Sequence, residues 1–479
     1  MANVPTENVA LGKLTYGSTP ADKAAFKKLG FAKWLNDQLD PAKIENAFIV
    51  DALKKFPSLA LTPADAHTTF PYSIKNHLVA DEVVFSTLLR RYWGDRQVYE
   101  MLVEFFNDYN PVPRRVDDWS LAHYDNQIIR ANVLGNYPDL VLASSRSPGM
   151  LEFLNGNQNE KNQPNENYGR ELLELFTVST ALSYTQSDVV NAARVLTGIV
   201  WPSAQQDLIV RVNYHWVGPV AVLGWTDPNP GGSRAAILAT AESLVRYLAM
   251  HSSTAQAFSL RMARRFVSDN PSKGLLASMA ASYTKSGGNI PTVFRTMVTS
   301  TEFAASNRAK TKRPSEFFGS VIRGLNLKLN GPVTAGDPTM ANFFNGNVLN
   351  EIYSWAIQAG HAPFNWPFPN GYPDTAAAWT TMAAQVARWN QASHWASGIR
   401  SQSLTAPNYS SLYGSGLKTS EQIVDAAAKY FLGAVLPADE RAAAVNMVNQ
   451  VSANSRGLSQ NRAEVATALV LSKPEWNLR

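Results

Sequence analysis

Residues 165–178 read Asn-Glu-Asn-Tyr-Gly-Arg-Glu-Leu-Leu-Glu-Leu-Phe-Thr-Val, and they place four charged side chains among leucines and aromatic residues. Pro164 precedes the stretch, and the side chain of Asn165 or Asn167 is suited to cap a helix N-terminus. The charged residues follow one another at helical spacing, so acids and arginine meet on adjoining faces. Burying such charge is costly unless it is paired, bound to a ligand or functional. The stretch therefore predicts a central helix that carries the functional site.

The charged side chains of this helix are the candidate catalytic groups. Glu171 or Glu174 is suited to acid/base catalysis, and Arg170 is suited to stabilise negative charge. The candidate substrate-binding residues have polar or flat aromatic side chains: Asn165, Glu166, Asn167, Arg130, Trp216, Trp366, Asn370 and Tyr372. The leading hypothesis is an enzyme, a hydrolase or lyase, that acts on a polar or carbohydrate-like substrate. It predicts a concave pocket that contains Arg170 and one of the two glutamates.

Two alternative functions use the same residues. Asp108 and His215, together with the glutamates of the helix, are candidate metal ligands, because carboxylates with one imidazole suit iron, manganese or zinc. This predicts a metal-dependent oxidoreductase or hydrolase, although the sequence has neither HExxH nor Glu-x-x-His. The other alternative is a non-catalytic binding or scaffold protein with sealed acid–arginine pairs. In that case Arg170→Ala would cost about 3–5 kcal/mol of stability.

Several enzyme classes are disfavoured by missing motifs. The sequence has no G-x-S-x-G nucleophile elbow, no G-x-x-x-x-G-K-[ST] loop and no G-x-G-x-x-G loop. It contains no cysteine, which excludes disulfides, thiolate nucleophiles and cysteine-ligated metals. No cofactor is indicated by any of these patterns.

Composition describes a large globular chain. Its 479 residues are 45% hydrophobic and 17% charged, with a formal net charge of +5. A dense cationic run is predicted to be a solvated loop between helices and not a nucleic-acid surface: Arg308, Lys310, Lys312 and Arg313. No apolar run is long enough to span a membrane, and residues 1–17 have no signal-peptide pattern. We therefore expect a cytoplasmic protein or the mature form of an exported one.

Hydrophobic periodicity predicts a mostly α-helical fold. The expected helical segments are 22–39 with a break at Gly30, and 83–106, 140–154, 188–196, 235–250 and 255–267. Short strands at 208–212 and 220–223 are expected to pair as a small β-hairpin. We predict one large unit of two fused helical lobes, the first over about 1–200 and the second over about 231–479. The hairpin insertion lies between them at about 201–230.

Several motifs together resemble the bacterial domain family of unknown function numbered 1800. The most specific are the Asn-Glu-Asn-Tyr-Gly-Arg-Glu-Leu-Leu-Glu-Leu segment at 165–175, Tyr-Thr-Gln-Ser-Asp at 184–188 and Arg-Val-Leu-Thr-Gly at 194–198. Further similar segments cover most of the chain: 14–22, 34–41, 103–108, 129–137, 215–220, 264–269, 370–374 and 474–479. The resemblance implies one mainly helical unit. It also implies relatives that are often exported, but it assigns no reaction.

The chain departs from the pattern of this family at three histidine positions. The resemblance implies histidines where this sequence has Tyr109, Asn132 and Phe176, whereas the histidine of the His-Trp-Val-Gly-Pro segment is retained as His215. A metal or haem site built from those histidines would be absent or rebuilt here. This departure motivates the hypothesis of a non-catalytic protein with a degenerate site.

Overall fold

The computed structural model describes residues 4–70, 77–116, 119–202, 207–330, 348–397, 404–452 and 457–479. Its α-helices are α1 Glu7–Leu14, α2 Pro20–Gln38, α3 Ala47–Leu53, α4 Pro63–Thr69, α5 His77–Trp93, α6 Gln97–Tyr109, α7 Leu121–His123, α8 Tyr137–Ser145, α9 Pro148–Phe153, α10 Glu166–Glu171, α11 Gln186–Val195, α12 Arg234–Met250, α13 Ser252–Phe266, α14 Lys273–Lys285, α15 Ile290–Val298, α16 Thr301–Ala305, α17 Pro314–Gly324, α18 Val348–Gln358, α19 Ala376–Trp379, α20 Met382–Ser397, α21 Tyr409–Tyr413, α22 Ser420–Leu432, α23 Ala438–Asn449 and α24 Leu458–Leu471. Tyr124–Arg130 and Leu172–Phe176 are π-helical. Short 3₁₀ segments are Pro41–Lys43, Pro57–Ala60, Gly156–Gln158, Val212–Tyr214 and Pro474–Asn477. The fold is mostly α, as the periodicity predicted.

Local sequence signals explain where these helices begin and bend. Thr19 and Asp22 form a reciprocal capping box at the start of α2. The same pair of interactions, between Thr185 and Asp188, begins α11. Gly30 interrupts α2 with φ = +71°, so the predicted break at this glycine is confirmed.

Two predicted helical segments are each divided in the structure. The 83–106 segment belongs to α5 and α6, which are separated at Gly94. A Cβ added at Gly94 would lie 2.4 Å from the carbonyl oxygen of Arg90, so the close chain reversal there requires glycine. The 140–154 segment is divided because Ser147 caps a new helix, α9, that begins at Pro148.

The small β insertion is present, but its strands pair differently from the prediction. Strand β1 (Ile199–Val200) is antiparallel to β2 (Ile209–Val210). Strand β3 (Val220–Val222) is antiparallel to β4 (Trp225–Asp227). The predicted pairing of 208–212 with 220–223 is therefore wrong, because β2 pairs with the strand before it and β3 pairs with the strand after it.

A single contiguous cluster of buried apolar side chains extends from Val9 to Leu471. Helix α6 lies deep in this core, where Met101, Leu102 and Phe106 are fully buried. No helix in the described part of the chain combines the length and the hydropathy needed to cross a membrane. The division into two lobes stays a prediction.

Candidate functional site

The acidic helix buries its leucines but leaves most of its charge near the surface. Helix α10 continues directly into the π-helical segment Leu172–Phe176, in which Leu172 and Leu173 are fully buried. The side chain of Arg170 is 38% exposed, and its guanidinium lies 3.7 Å from the carboxylate of Glu174. Glu166 and Asn167 are exposed. The structure thus brings the predicted acids and arginine together, on a partly solvated face.

Neighbouring side chains hold this face in place. Gln186 accepts a hydrogen bond from Arg170 (2.9 Å) and donates one to Glu166 (2.5 Å), while the hydroxyl of Tyr184 donates to Glu174. Partial burial, followed by the charge of Glu174, raises the pKa of Glu171. Asn165 performs its predicted capping function, because its side chain accepts from the amide of Tyr168 at 3.1 Å.

Three other predicted site residues have structural partners elsewhere. Arg130 is buried and forms ion pairs with Glu100 (2.8 Å) and Asp125 (2.6 Å). The two ring nitrogens of His215 lie 2.8 Å from the Thr197 carbonyl and 2.9 Å from Asn229 Oδ1. The ring of Trp216 packs under Arg194, whose guanidinium is 4.5 Å from the ring centroid. Each of these three residues therefore interacts with residues outside the acidic helix.

Asp108 lies instead beside the predicted aromatic loop. Asp108, Trp366 and Tyr372 line one small cavity, together with His361 and Asn107. Trp366 and Tyr372 pack against each other with ring centroids 5.0 Å apart, and Trp366 Nε1 donates to Asn370 Oδ1 at 2.9 Å. Four predicted residues, one from α6 and three from the 366–372 loop, therefore lie together at this place.

The cavity contains room for a small polar group and presents acceptors to it. Its volume is about 20 Å³, which is enough for about one water molecule. Asn107 Oδ1 is buried and has no hydrogen-bond partner among the described residues. One carboxylate oxygen of Asp108 accepts from Arg313, while no described residue donates to the other. Both acceptors fit a ligand group that donates hydrogen bonds.

A buried network of arginines and carboxylates, which the sequence analysis missed, begins in the cavity wall, where Arg91 and Glu104 line it. Glu104 accepts from Arg91 (2.9 Å) and from Arg265 (2.5 Å), and Arg265 also pairs with Glu316. Arg479 lies 3.0 Å from Glu316. All five side chains are at most 5% exposed. The network is built from α5, α6, α13, α17 and the last residues of the chain.

The neighbouring arginines determine the protonation states of Glu104 and Glu316. Burial alone would raise the pKa of Glu104, but the charges of Arg91 and Arg265 hold it well below its usual range. For Glu316, burial again opposes ionisation, but Arg265 and Arg479 outweigh it and lower the pKa to about 2. Both carboxylates are therefore ionised at neutral pH and matched by arginine charge.

Asp108 differs from these two acids. Burial raises its pKa to about 6, because the attraction of Arg313 is partly offset by the negative charge of Glu104. Its side chain is 17% exposed, so solvent reaches it. Arg313 also donates to Asp374 at 2.6 Å. Asp108 is thus the cavity carboxyl that changes its protonation closest to neutral pH.

His361 faces Glu104 across the cavity wall as a neutral imidazole. The amide of Ser315 donates to its Nδ1 at 3.4 Å, and its Nε2 lies 4.0 Å from Glu104. Burial holds the pKa of His361 well below its usual range, despite the opposing charge of Glu104. The ring packs against Tyr372 with centroids 4.5 Å apart.

A glycine fixes the aromatic loop against Asp108. Gly371 has φ = +69°, and a Cβ there would lie 1.8 Å from the carbonyl oxygen of Asp108. Only glycine permits both this left-handed conformation and this approach. Arg261 ties the loop to the acidic helix, since it donates to the carbonyls of Asn370 and Leu175 at 3.1 Å each.

The cationic run is mostly buried, so the prediction of a solvated loop is wrong for three of its four residues. Lys310, Lys312 and Arg313 are buried, and only Arg308 is exposed. Lys310 pairs with Asp269, and Arg313 pairs with Asp108 and Asp374. Tertiary contacts thus supply counter-charges to Lys310 and Arg313 that the local sequence lacks.

The described residues contain no group of three or more His, Asp or Glu side chains arranged to hold a metal ion. The candidate ligands His215 and Asp108 are engaged with Thr197 and Asn229 in one case, and with Arg313 in the other.

The comparisons with known proteins agree with the motif pattern. The profile of the family described as "Protein of unknown function (DUF1800)" matches residues 9–478. The chain belongs to this family. Searches of curated proteins and of solved structures gave no significant match.

Membership in the DUF1800 family draws attention to the three positions where the motif pattern implied histidines. Tyr109 stacks on Tyr137 with centroids 5.2 Å apart, and the hydroxyl of Tyr137 donates to the carbonyl of Phe176 at 2.6 Å. Tyr109 and Phe176, two of the three positions, therefore both contact Tyr137. At the third position, the side-chain amide of Asn132 donates a hydrogen bond to the carbonyl of Ile128 at 2.7 Å.

Proposed function

We propose that this member of the DUF1800 family is an acid/base enzyme that acts on a small polar substrate at the Asp108 cavity. The observation that carries the proposal is the combination found at Asp108: a carboxyl with a pKa of about 6, partial access to solvent and one carboxylate oxygen to which no described residue donates a hydrogen bond. A general acid or base is most effective when its pKa lies near the working pH. Hydrolysis or elimination are the reaction classes that such a group supports.

The neighbours of Asp108 provide the other requirements of such a site. Arg313 carries a positive charge held between Asp108 and Asp374, and it can stabilise negative charge that develops on a substrate. Trp366 and Tyr372 line the cavity with aromatic rings, which suit the apolar face of a sugar or a similar ring. Asn107 Oδ1 supplies a buried acceptor for a substrate hydroxyl or a water.

The acidic helix remains the second candidate for the acid/base groups. Its charged residues lie where the α-helix changes to a π-helix, and such transitions are frequent at functional sites. The pKa of Glu171 is also raised by partial burial. Arg261 connects this helix to the aromatic loop, so both candidates border the same part of the molecule.

The small cavity volume favours the rival function, a non-catalytic binding protein. A cavity of about 20 Å³ admits about one water molecule, so a substrate must reach Asp108 from its solvent-exposed side. The buried arginine–carboxylate network is equally compatible with a purely structural purpose. The experiment therefore has to separate catalysis from binding.

The test is a substrate screen with matched variants. Wild-type protein is incubated with 4-nitrophenyl glycosides and 4-nitrophenyl esters, and separately with a polar metabolite extract followed by mass spectrometry. Asp108→Asn and Glu171→Gln are assayed in parallel, after circular dichroism has shown that each is folded. We expect turnover that falls by about 100-fold or more in Asp108→Asn, the usual contribution of a general acid or base. Glu171→Gln serves as the matched carboxylate-to-amide control.

Each outcome assigns the site. Loss of activity in Glu171→Gln with full activity in Asp108→Asn would move the catalytic carboxylate to the acidic helix. Binding of a metabolite that is recovered unchanged would overturn the enzyme proposal in favour of the binding protein. Activity that depends on pH through about pH 6, and loses that dependence in Asp108→Asn, would support it.

A further inference from the structure

A second and much larger cleft lies on the other side of the buried network. It has a volume of about 430 Å³, within the range typical of small-molecule sites. Its walls come from α1, the start of α2, α17, the end of α22 and the last residues of the chain. It shares no lining residue with the Asp108 cavity. The Glu104–Arg265–Glu316 ion pairs separate the two.

The cleft carries an excess of positive charge. Three acids line it, namely Glu7, Glu316 and Glu475. Six basic side chains line it as well: Lys23, Lys27, Arg308, Lys312, Lys429 and Arg479. Glu316 is already paired with Arg265 and Arg479, and Glu7 lies 3.8 Å from Lys27. Glu475 forms no ion pair with a cation of the described residues, and its Oε2 is buried without a hydrogen-bond partner there. Four cations, namely Lys23, Arg308, Lys312 and Lys429, form no ion pair with an acid of the described chain.

Lys312 is the most unusual of these cations because it is buried at the cleft. Its Nζ lies 3.2 Å from Ser320 Oγ and 3.6 Å from the centroid of the Trp476 ring. Those neighbours provide no negative charge. Burial therefore holds the pKa of Lys312 well below its usual range, despite the attraction of Glu316. No carboxylate of the described residues lies within ion-pair distance of this amine, so a bound anion would favour its protonated form.

Donor groups at the same cleft also lack partners. Trp476 Nε1 and Arg479 Nε are buried, and neither has a hydrogen-bond acceptor among the described residues. Aromatic side chains complete the wall: Tyr430, Phe431 and Trp476. Unpaired N–H donors, a buried lysine without an ion pair and aromatic faces together fit a ligand that has a negatively charged, hydrogen-bond-accepting group on an apolar body.

We infer that this cleft is a binding site for a small organic anion, with a phosphate or carboxylate group directed toward Lys312 and Trp476. Lys23 and Lys429 lie at the same cleft and add positive charge that attracts such a ligand. The site is independent of the proposed reaction at Asp108.

The test compares each anion with its neutral partner. AMP and adenosine, glucose 6-phosphate and glucose, and benzoate and benzyl alcohol are titrated into the full-length protein by isothermal calorimetry at low salt. We expect at least one anion to bind about tenfold or more tightly than its neutral partner, a difference of about 1.4 kcal/mol. Lys312→Met and Lys429→Gln should each weaken the binding of that anion by about tenfold, because each removes a basic group that has no ion-pair partner among the described residues.

Matched controls make the result decisive. Lys273→Gln removes an exposed lysine on α14, outside the cleft, and should leave binding unchanged. Asp108→Asn should also leave it unchanged, which separates this inference from the proposed enzyme function. Lys429→Gln changes an exposed residue, so it remains informative if Lys312→Met does not fold. The inference is overturned if no anion binds better than its neutral partner, or if binding is equal in Lys429→Gln and Lys273→Gln.

Discussion

The acidic helix and the buried network use the same side-chain types in opposite ways. In the helix, Arg170 and Glu174 are neighbours in sequence, lie 3.7 Å apart and remain partly solvated. In the network, Glu104, Arg265 and Glu316 are distant in sequence, and all are at most 2% exposed. The charge that is paired within the acidic helix thus stays near the surface, whereas the charge that is paired between distant helices lies in the core.

The difference follows from the energetics of burial. A buried charge requires a partner at close range and in good geometry, and a single helix turn seldom supplies one without access to water. Arg265 obtains two carboxylates only because α6 and α17 bring Glu104 and Glu316 to it from distant parts of the chain.

Arg265→Met should destabilise the protein most, by about 3–5 kcal/mol, because Glu104 and Glu316 lose a shared buried counter-charge. The measurement is the urea unfolding midpoint followed by circular dichroism at neutral pH. Neutralising both acids in the triple variant Glu104→Gln, Arg265→Met, Glu316→Gln should recover part of the loss. A triple variant no more stable than Arg265→Met would contradict the electrostatic explanation.

Asp108 should make stability depend on pH with a defined sign. Its pKa is about 6 in the folded chain, above its ordinary value of 3.8, so the unfolded chain ionises first as the pH rises. Wild type should therefore lose stability relative to Asp108→Asn between about pH 4 and pH 6, by about 2–3 kcal/mol in total. Thermal unfolding of both proteins across this range measures the difference. A constant difference would mean that Asp108 titrates normally in the folded chain.

Arg170→Ala should have the smallest effect, less than about 1 kcal/mol, because the Arg170–Glu174 pair is partly exposed and screened by solvent. The same urea titration measures it beside Arg265→Met. A loss of 3–5 kcal/mol would instead support the interpretation of the acidic helix as a sealed structural pair, and it would remove the contrast between the two regions.

Much of the fold was predictable because helices leave a local signal. The capping box at Thr19, the break at Gly30 and the apolar period of α12 and α13 are all encoded within a few residues. The strand pairing was predicted wrongly because very short strands of similar composition do not specify a partner.

The candidate site was predictable only in part. Asp108, Trp366, Asn370 and Tyr372 were selected from the sequence, and the structure brings them together. Glu104 was missed, although an acid flanked by Val103 and Phe105 in an apolar helical segment was a usable signal for buried charge. Arg265 and Arg313 gave no comparable signal, since each follows another basic residue.

The sequence by itself determined the family, the helical class and the helix boundaries set by caps, glycines and prolines, because these depend on residues close together in the chain. Only the tertiary structure decided which charges are buried, which acid titrates near neutral pH and where the cationic cleft lies. Those properties depend on groups as far apart in sequence as Arg265 and Glu104, or Lys23 and Trp476, that meet only when the helices pack.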